Sequence, residues 1–214
     1  MIFELDHNLI FPPLHLAEED GLLAIGGDLS TARLILAYSN GVFPWFSDDT
    51  PILWYAPRER FVLFPEKLKV SKSMRQILRS GKFSITFDKA FTEVIKACAL
   101  IERKDQDGTW ITQDMQQAYT KLYEAGFAHS IEVWQGQVLV GGLYGVYING
   151  VFCGESMFSK VSNASKIALI WLIENLEIKM VDCQIHSEHL ASMGAEMVSM
   201  ATYLGILKNT KSSL

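Results

Sequence analysis

Three places in this chain put side chains capable of chemistry close together. Asp182-Cys183-Gln184 sits in the run from Lys179 to Ile185, which reads as a strand. Side chains alternate along a strand, so Asp182 and Gln184 are expected on one face and Cys183 on the other. A paired acid and amide can bind and orient an amine, or can simply meet solvent at a strand end. Gly154-Glu155-Ser156-Met157-Phe158-Ser159 places a carboxylate in the most apolar strand of the chain, between Phe152 and Phe158. An unpaired charge is costly to bury, so Glu155 calls for a structural partner such as Lys166 or for a ligand. Third, Lys67, Lys69, Lys72, Arg75, Arg79 and Lys82 follow one another with no acidic residue between them. That stretch suits phosphate, although a solvated helix face is the plainer reading.

Other groupings carry less. Cys183, His186 and His189 recur every third residue across a strand end and do not converge on a metal, so none is expected. Gly26-Gly27 lacks the frame of a nucleotide-binding loop and reads as a tight turn.

The elements that must position these residues fall into two stretches. Through about residue 60 the chain is rich in Pro, Gly and aromatic residues, and reads as turns and short strands. One helix is expected there, over Thr31 to Ser39, capped near Ser30 and ended near Asn40-Gly41. A second should start after Ser71 and stop before Gly81, burying Met74, Ile77 and Leu78. Lys72, Arg75, Arg79 and Lys82 then stack along its other face. Helices near Phe91 to Leu100 and Asp114 to Ala125 precede a β-meander of Ser130 to Trp134, Val138 to Ile148 and Val151 to Phe158, with turns at Gln135-Gly136 and Asn149-Gly150. A buried helix over Asn163 to Asn175, the strand bearing Asp182, and one or two short helices complete the chain.

Antiparallel strands followed by a helix and a returning strand make an α+β, acetyltransferase-like arrangement with a splayed strand pair at its centre. Enzymes of that kind that use acetyl-CoA hold its pyrophosphate on a Gly-rich turn before the helix. The equivalent stretch, Phe158 to Ser165, has no glycine, so CoA is disfavoured and no cofactor is expected.

Composition sets outer limits. The 214 residues suffice for a substantial core, and 49% hydrophobic against 20% charged residues is ordinary for a globular protein. Three scattered cysteines do not form a disulfide framework. No apolar run is long enough to span a bilayer, and no secretory leader is legible, so a cytoplasmic monomer with no membrane partner is expected. A net charge of −5 counts against nucleic acid on average, which gives the basic stretch its interest.

Gly21 to Leu29 (Gly-Leu-Leu-Ala-Ile-Gly-Gly-Asp-Leu), Gly41 to Phe46 (Gly-Val-Phe-Pro-Trp-Phe), Gly108-Thr109-Trp110-Ile111-Thr112, His129 to Trp134 (His-Ser-Ile-Glu-Val-Trp), Gly154 to Ser159, Asn163-Ala164-Ser165-Lys166 and Asp182-Cys183-Gln184 occur in this order. In that order and over about residues 11 to 195, the chain resembles the leucyl/phenylalanyl-tRNA–protein transferases. The resemblance weakens toward the C-terminus, where Ser187 stands for an asparagine and Met200 aligns with an arginine.

The resemblance implies a small mixed N-terminal domain over residues 1–60 that helps hold the aminoacylated 3′ end of tRNA, and an acetyltransferase-like catalytic domain over residues 61–214. It implies transfer of Leu or Phe, with Met as a further donor, from Leu-tRNA or Phe-tRNA to the α-amino group of proteins beginning with Lys or Arg. The product would enter an N-degron degradation pathway. By the same resemblance Trp45 and Trp110 clamp the terminal adenosine, and Leu143, Phe152, Met157, Leu169, Leu172 and Val181 line the aminoacyl pocket. Phe152 and Met157 fall on opposite faces of a regular strand, so their sharing a pocket requires a bulge near Gly154. Glu155 is assigned to the acceptor's cationic end, Gln184 to the attacking amine and Asp182 to orienting the Gln184 amide. Lys72, Arg75, Arg79 and Lys82 are assigned to tRNA phosphates. A CoA-dependent N-acetyltransferase and a noncatalytic RNA- or peptide-binding module are the competing readings.

Overall fold

A computed structural model describes residues 2–101 and 110–209. In chain order its elements are β1 (Phe3–Leu5), β2 (Leu22–Gly26), α1 (Thr31–Ser39), β3 (Phe43–Pro44), β4 (Leu53–Tyr55), β5 (Glu59–Leu63), α2 (Lys72–Arg79), β6 (Ser84–Phe87), α3 (Phe91–Leu100), α4 (Gln113–Glu124), β7 (Ala128–Gln135), β8 (Val138–Ile148), β9 (Val151–Ser159), α5 (Ala164–Asn175), β10 (Met180–Gln184), α6 (Glu188–Ser192), β11 (Glu196–Ser199) and α7 (Met200–Lys208). Short 3-10 turns lie at Leu14–Leu16 and Pro65–Lys67.

Local chemistry places most of the boundaries. Ser71 Oγ accepts Met74 N–H at 3.2 Å and starts α2, as Ser30 does for α1 through Arg33. The β8–β9 turn has positive φ at both Asn149 and Gly150, the geometry that two-residue hairpins prefer. The helix bearing the basic residues ends at Arg79, so Lys82 lies beyond it rather than on its face.

Two sheets result. The N-terminal sheet has the order β1-β2-β4-β3, and the larger one has the order β11-β5-β10-β9-β8-β7-β6. From β6 to β9 the larger sheet is an antiparallel meander, after which α5 crosses over to β10, parallel to β9. This is the acetyltransferase-like α+β topology expected, extended by β5 and β11 on one side and β6 on the other. None of those three strands is predicted as such. α5 covers one face of β7, β8 and β9, and Met74 of α2 joins the core beneath it. α3, α4 and α1 build a second core on the opposite face. Among the described residues no helix is long and apolar enough to cross a membrane.

Candidate active site

The site opens where β9 and β10 part. They pair from Met180–Val151 only to Asp182–Cys153. Beyond that point each strand is irregular. Against β8, Tyr144 faces Ser156 and Gly145 faces Gly154, so Glu155 is the extra residue of a bulge. Against β5, the register shifts between Asp182 and Gln184. The bulge at Glu155 is the one that the shared pocket required, and it brings Phe152 and Met157 to one cavity. Gly145 makes room there, because a Cβ would stand 2.6 Å from the Phe152 ring.

The cavity has a volume of about 560 Å³, and its lining includes Leu143, Phe152, Met157, Leu169, Leu172 and Val181. Glu155, Asp182, Gln184, Trp45 and Trp110 line it too. Every residue assigned to the amino acid, the adenosine and the chemistry is therefore gathered in one place. Trp45 is more than a third exposed and leans on Tyr55. Trp110 lines the cavity and also packs against the core behind it. Gly108 and Thr109 of its motif lie outside the described residues.

Glu155 is 6% exposed. Tyr119 donates its hydroxyl to Oε2 and Gln184 donates Nε2–H to Oε1, each at 3.0 Å. The Tyr38 and Tyr119 hydroxyls are in contact. Since Tyr119 has one proton and gives it to Glu155, Tyr38 supplies the proton between the two phenols. The structural partner considered for Glu155, Lys166, is not in that role, and no cation is paired with Glu155 among the described residues. Burial pushes its carboxyl up to about 7. The hydrogen bonds from Tyr119 and Gln184, together with the nearby Tyr38 hydroxyl, oppose the rise, and the charge of Asp182 adds to it. A carboxylate short of a counterion and facing a cavity is suited to an incoming cation.

Asp182 is more deeply enclosed, at 1% exposed. Its Oδ1 accepts Gln184 N–H at 2.9 Å, while Oδ2 accepts the Tyr203 hydroxyl at 2.8 Å and faces Arg60 Nε at 3.2 Å. This corrects one expectation: Asp182 holds the main chain of Gln184, and it is Glu155 that holds the carboxamide. The change follows from the bulge, which breaks strict alternation and leaves Gln184 at φ 61°. Burial and the charge of Asp182 push the Cys183 thiol up, which disfavours its thiolate.

Lys72, Arg75, Arg79 and Lys82 are exposed and are not part of the cavity lining. No carboxylate is paired with any of the four among the described residues, whereas Lys67 is paired with Glu196. Lys69 N–H bonds Met193 O, which ties the start of the basic stretch to the turn after α6, whose His189 and Leu190 line the cavity. At the start of α5, Ser165 N–H is taken by Ser159 Oγ at 3.1 Å, an amide that a pyrophosphate would otherwise meet. Among the described residues no cluster of ligand-type side chains could hold a metal ion.

The sequence does not single out Tyr38, Tyr119, Arg60 or Tyr203. The three tyrosines are buried residues of α1, α4 and α7, flanked by other buried side chains of those helices. Arg60 had a usable signal, since it shares a strand face with Val62 in an otherwise apolar run.

The family model for leucyl/phenylalanyl-tRNA protein transferase matches residues 62–208, and that for the N-terminal domain of the same transferase matches residues 27–58. A leucyl/phenylalanyl-tRNA–protein transferase from Syntrophus aciditrophicus (strain SB) is 54% identical over 205 residues, covering 94% of this chain and 86% of its own. One from Christiangramia forsetii is 52% identical over 202 residues, covering 92% and 95%. Among solved structures, a GCN5-related N-acetyltransferase from Kribbella flavida aligns with a TM-score of 0.40 at 9% identity, covering 75% of this chain and 58% of that one.

Proposed function

Because the chain belongs to the leucyl/phenylalanyl-tRNA protein transferase family and is thus an aminoacyltransferase, we propose that it moves Leu or Phe, with Met as a further donor, from tRNA to proteins that begin with Lys or Arg. The observation that carries this reading is the single cavity in which apolar walls, two tryptophans and the Glu155–Gln184 pair meet. An apolar wall admits Leu and Phe alike, because it applies no hydrogen-bond test. Trp45 and Trp110 take the terminal adenosine by stacking, worth about 1–3 kcal/mol per base in comparable sites. Residues 1–60 supply Trp45 to the donor end, and residues 61–214 supply the catalytic side chains.

In the reaction the acceptor's α-amino nitrogen attacks the ester carbonyl. A C–N bond forms, the bond to the ribose oxygen breaks, and an amine proton ends on that oxygen. The ester is already activated, so orientation and proton removal carry the rate. Glu155 receives the cationic side chain of the acceptor. Gln184 has its amide N–H directed at Glu155, which frees its carbonyl oxygen to accept a hydrogen bond from the attacking amine. A neutral amide is too weakly basic to keep a proton, so the ribose hydroxyl or a water relays it. The basic face of α2 meets tRNA phosphates. We place the enzyme in the cytoplasm as a monomer, marking proteins for degradation through an N-degron pathway.

The test is transfer of radiolabelled leucine from Leu-tRNA to a peptide beginning with Arg, beside the same peptide beginning with Ala and a Glu155→Ala enzyme. Transfer to the Arg peptide alone, lost in the variant, supports the reading. Equal transfer to both peptides, or an unimpaired variant, refutes the acceptor assignment.

A further inference from the structure

Gln184 sits in the left-handed backbone region, at φ 61°, where residues with a side chain are strained. Such a conformation persists only if its surroundings fix it. Oδ1 of Asp182 does so by accepting the Gln184 N–H at 2.9 Å. Asp182 is fixed in turn: Tyr203 donates to Oδ2 at 2.8 Å, and Arg60 Nε stands 3.2 Å from the same oxygen. Arg60 is held as tightly. Its guanidinium lies 4.7 Å from the centroids of both the Phe43 and Tyr203 rings, and Nη2 donates to Gly41 O at 2.8 Å. Gly41 lies at φ 76°, where a side chain is strained, and a Cβ there would also crowd the Tyr203 ring at 3.1 Å.

This cluster is ill suited to stabilising the fold alone. Desolvating two charges largely cancels their attraction, and Nη1 of Arg60 is buried with no hydrogen-bond partner among the described residues. Nor is Asp182 placed to act on substrate, since Arg60 neutralises it and both of its oxygens are bonded within the chain. What the contacts share is their convergence on the Gln184 backbone. They also tie it to Phe43, two residues before Trp45, so one guanidinium braces strands from both sides of the cavity.

We infer that Arg60 and Tyr203 are positioning residues for aminoacyl transfer, acting through Asp182 to hold Gln184 in the turn that presents its carboxamide oxygen to the acceptor amine. This rests on the reading of Gln184 as the residue that orients that amine.

The experiment is steady-state transfer from Leu-tRNA to an Arg-initiated peptide by Tyr203→Phe, Arg60→Lys, Gln184→Ala and Tyr203→Phe/Gln184→Ala enzymes. Tyr203→Phe removes one hydroxyl from a packed ring, and Arg60→Lys keeps the charge but cannot reach Asp182 and Gly41 together. Each is expected to lower kcat about tenfold, the worth of one hydrogen bond to a charged group, with KM for tRNA and for peptide within about twofold of wild type. On the Gln184→Ala background Tyr203→Phe should add no further loss, whereas a merely structural contact would act equally on both backgrounds. Should Arg60→Lys fail to fold, Tyr203→Phe decides alone. Wild-type kcat in Tyr203→Phe, beside a crippled Gln184→Ala enzyme, would overturn the inference and leave the reading of Gln184 standing. Full activity in Gln184→Ala would overturn that reading first, and the inference with it.

Discussion

Glu155 is where burial and function pull hardest against each other. Its carboxyl is raised by burial from 4.5 to about 7, so the free enzyme carries a mixture of charged and neutral forms near neutral pH. Recognition of a cationic acceptor needs the charged form, so kcat/KM for an Arg-initiated peptide should fall as pH drops through about 7. The acceptor's own amine titrates close by, at about 7.7–8.0, so the diagnostic quantity is a displacement between enzymes tested on one peptide. Tyr119 donates to Glu155 and lowers its pKa, so Tyr119→Phe should move the acidic limb to higher pH. An unmoved limb would show that Glu155 does not govern it. Stability has a definite sign as well. Between pH 4.5 and 7 the folded state binds the Glu155 proton and the unfolded state releases it, so raising pH through that window weakens the fold. The loss is roughly 3 kcal/mol at most, complete above the folded pKa and absent below the unfolded one. Glu155→Gln should therefore gain thermal stability over wild type as pH goes from 5 to 8, while losing discrimination for Arg over Ala acceptors. Parallel melting curves of the two proteins across that range would refute it. At this scale Glu155, Gln184 and the tryptophans were legible in the sequence, because polar groups in apolar strands and ordered motifs stand out. Tyr38, Tyr119 and Tyr203 were not, because a buried hydroxyl network looks like an ordinary core until its partners, up to 81 residues apart, are brought together.

Strands, rather than side chains, decide whether these groups meet. A regular β9 would have sent Phe152 and Met157 to opposite faces, and once the resemblance put both in one pocket, alternation called for a bulge near Gly154. The second irregularity, in β10, was not foreseen: its cause is the pairing with β5, more than a hundred residues earlier, which no local pattern reports. The same distance hid β5 itself. It follows a Pro- and aromatic-rich stretch, and only the long-range partners β10 and β11 make it part of the large sheet. The meander was readable because its turns and alternation are local. Gly145 links these elements to the pocket. A Cβ there would lie 2.2 Å from Cys153 O as well as against Phe152, so neither backbone nor ring can ignore it. Gly145→Ala should cost about 1–3 kcal/mol. That corresponds to a Tm lower by about 2–4 °C for each kcal/mol in a chain of this size. Because Phe152 lines the cavity, KM for Leu-tRNA should rise while affinity for uncharged tRNA holds. A variant with normal melting and normal KM would show that the Cys153 backbone and the Phe152 ring both move aside at no cost.

As a whole the molecule carries a net charge of −5 and yet belongs to a family whose name includes tRNA. Segregation reconciles the two. Lys72, Arg75, Arg79 and Lys82 project into solvent without acidic partners among the described residues, while Lys67, at the edge of the stretch, is already engaged by Glu196. Backbone contacts of this sort give affinity with little sequence preference, and they are read through salt: each phosphate contact contributes about 0.7–0.9 to the slope of log K against log salt. Replacing Lys72, Arg75 and Arg79 with Ala should therefore weaken tRNA binding and flatten that slope by about 2–3 units, all tRNA species being affected alike. The three side chains are exposed and α2 is anchored by Met74 beneath, so the melting temperature should stay near that of wild type. Transfer from a short aminoacyl-adenosine analogue, which has no stem to contact, should be unchanged. That comparison separates the two ends of the substrate. If the triple variant loses activity on the analogue as well, the helix supports the pocket rather than the tRNA; if it keeps full affinity and slope for tRNA, the phosphates are met elsewhere on the surface.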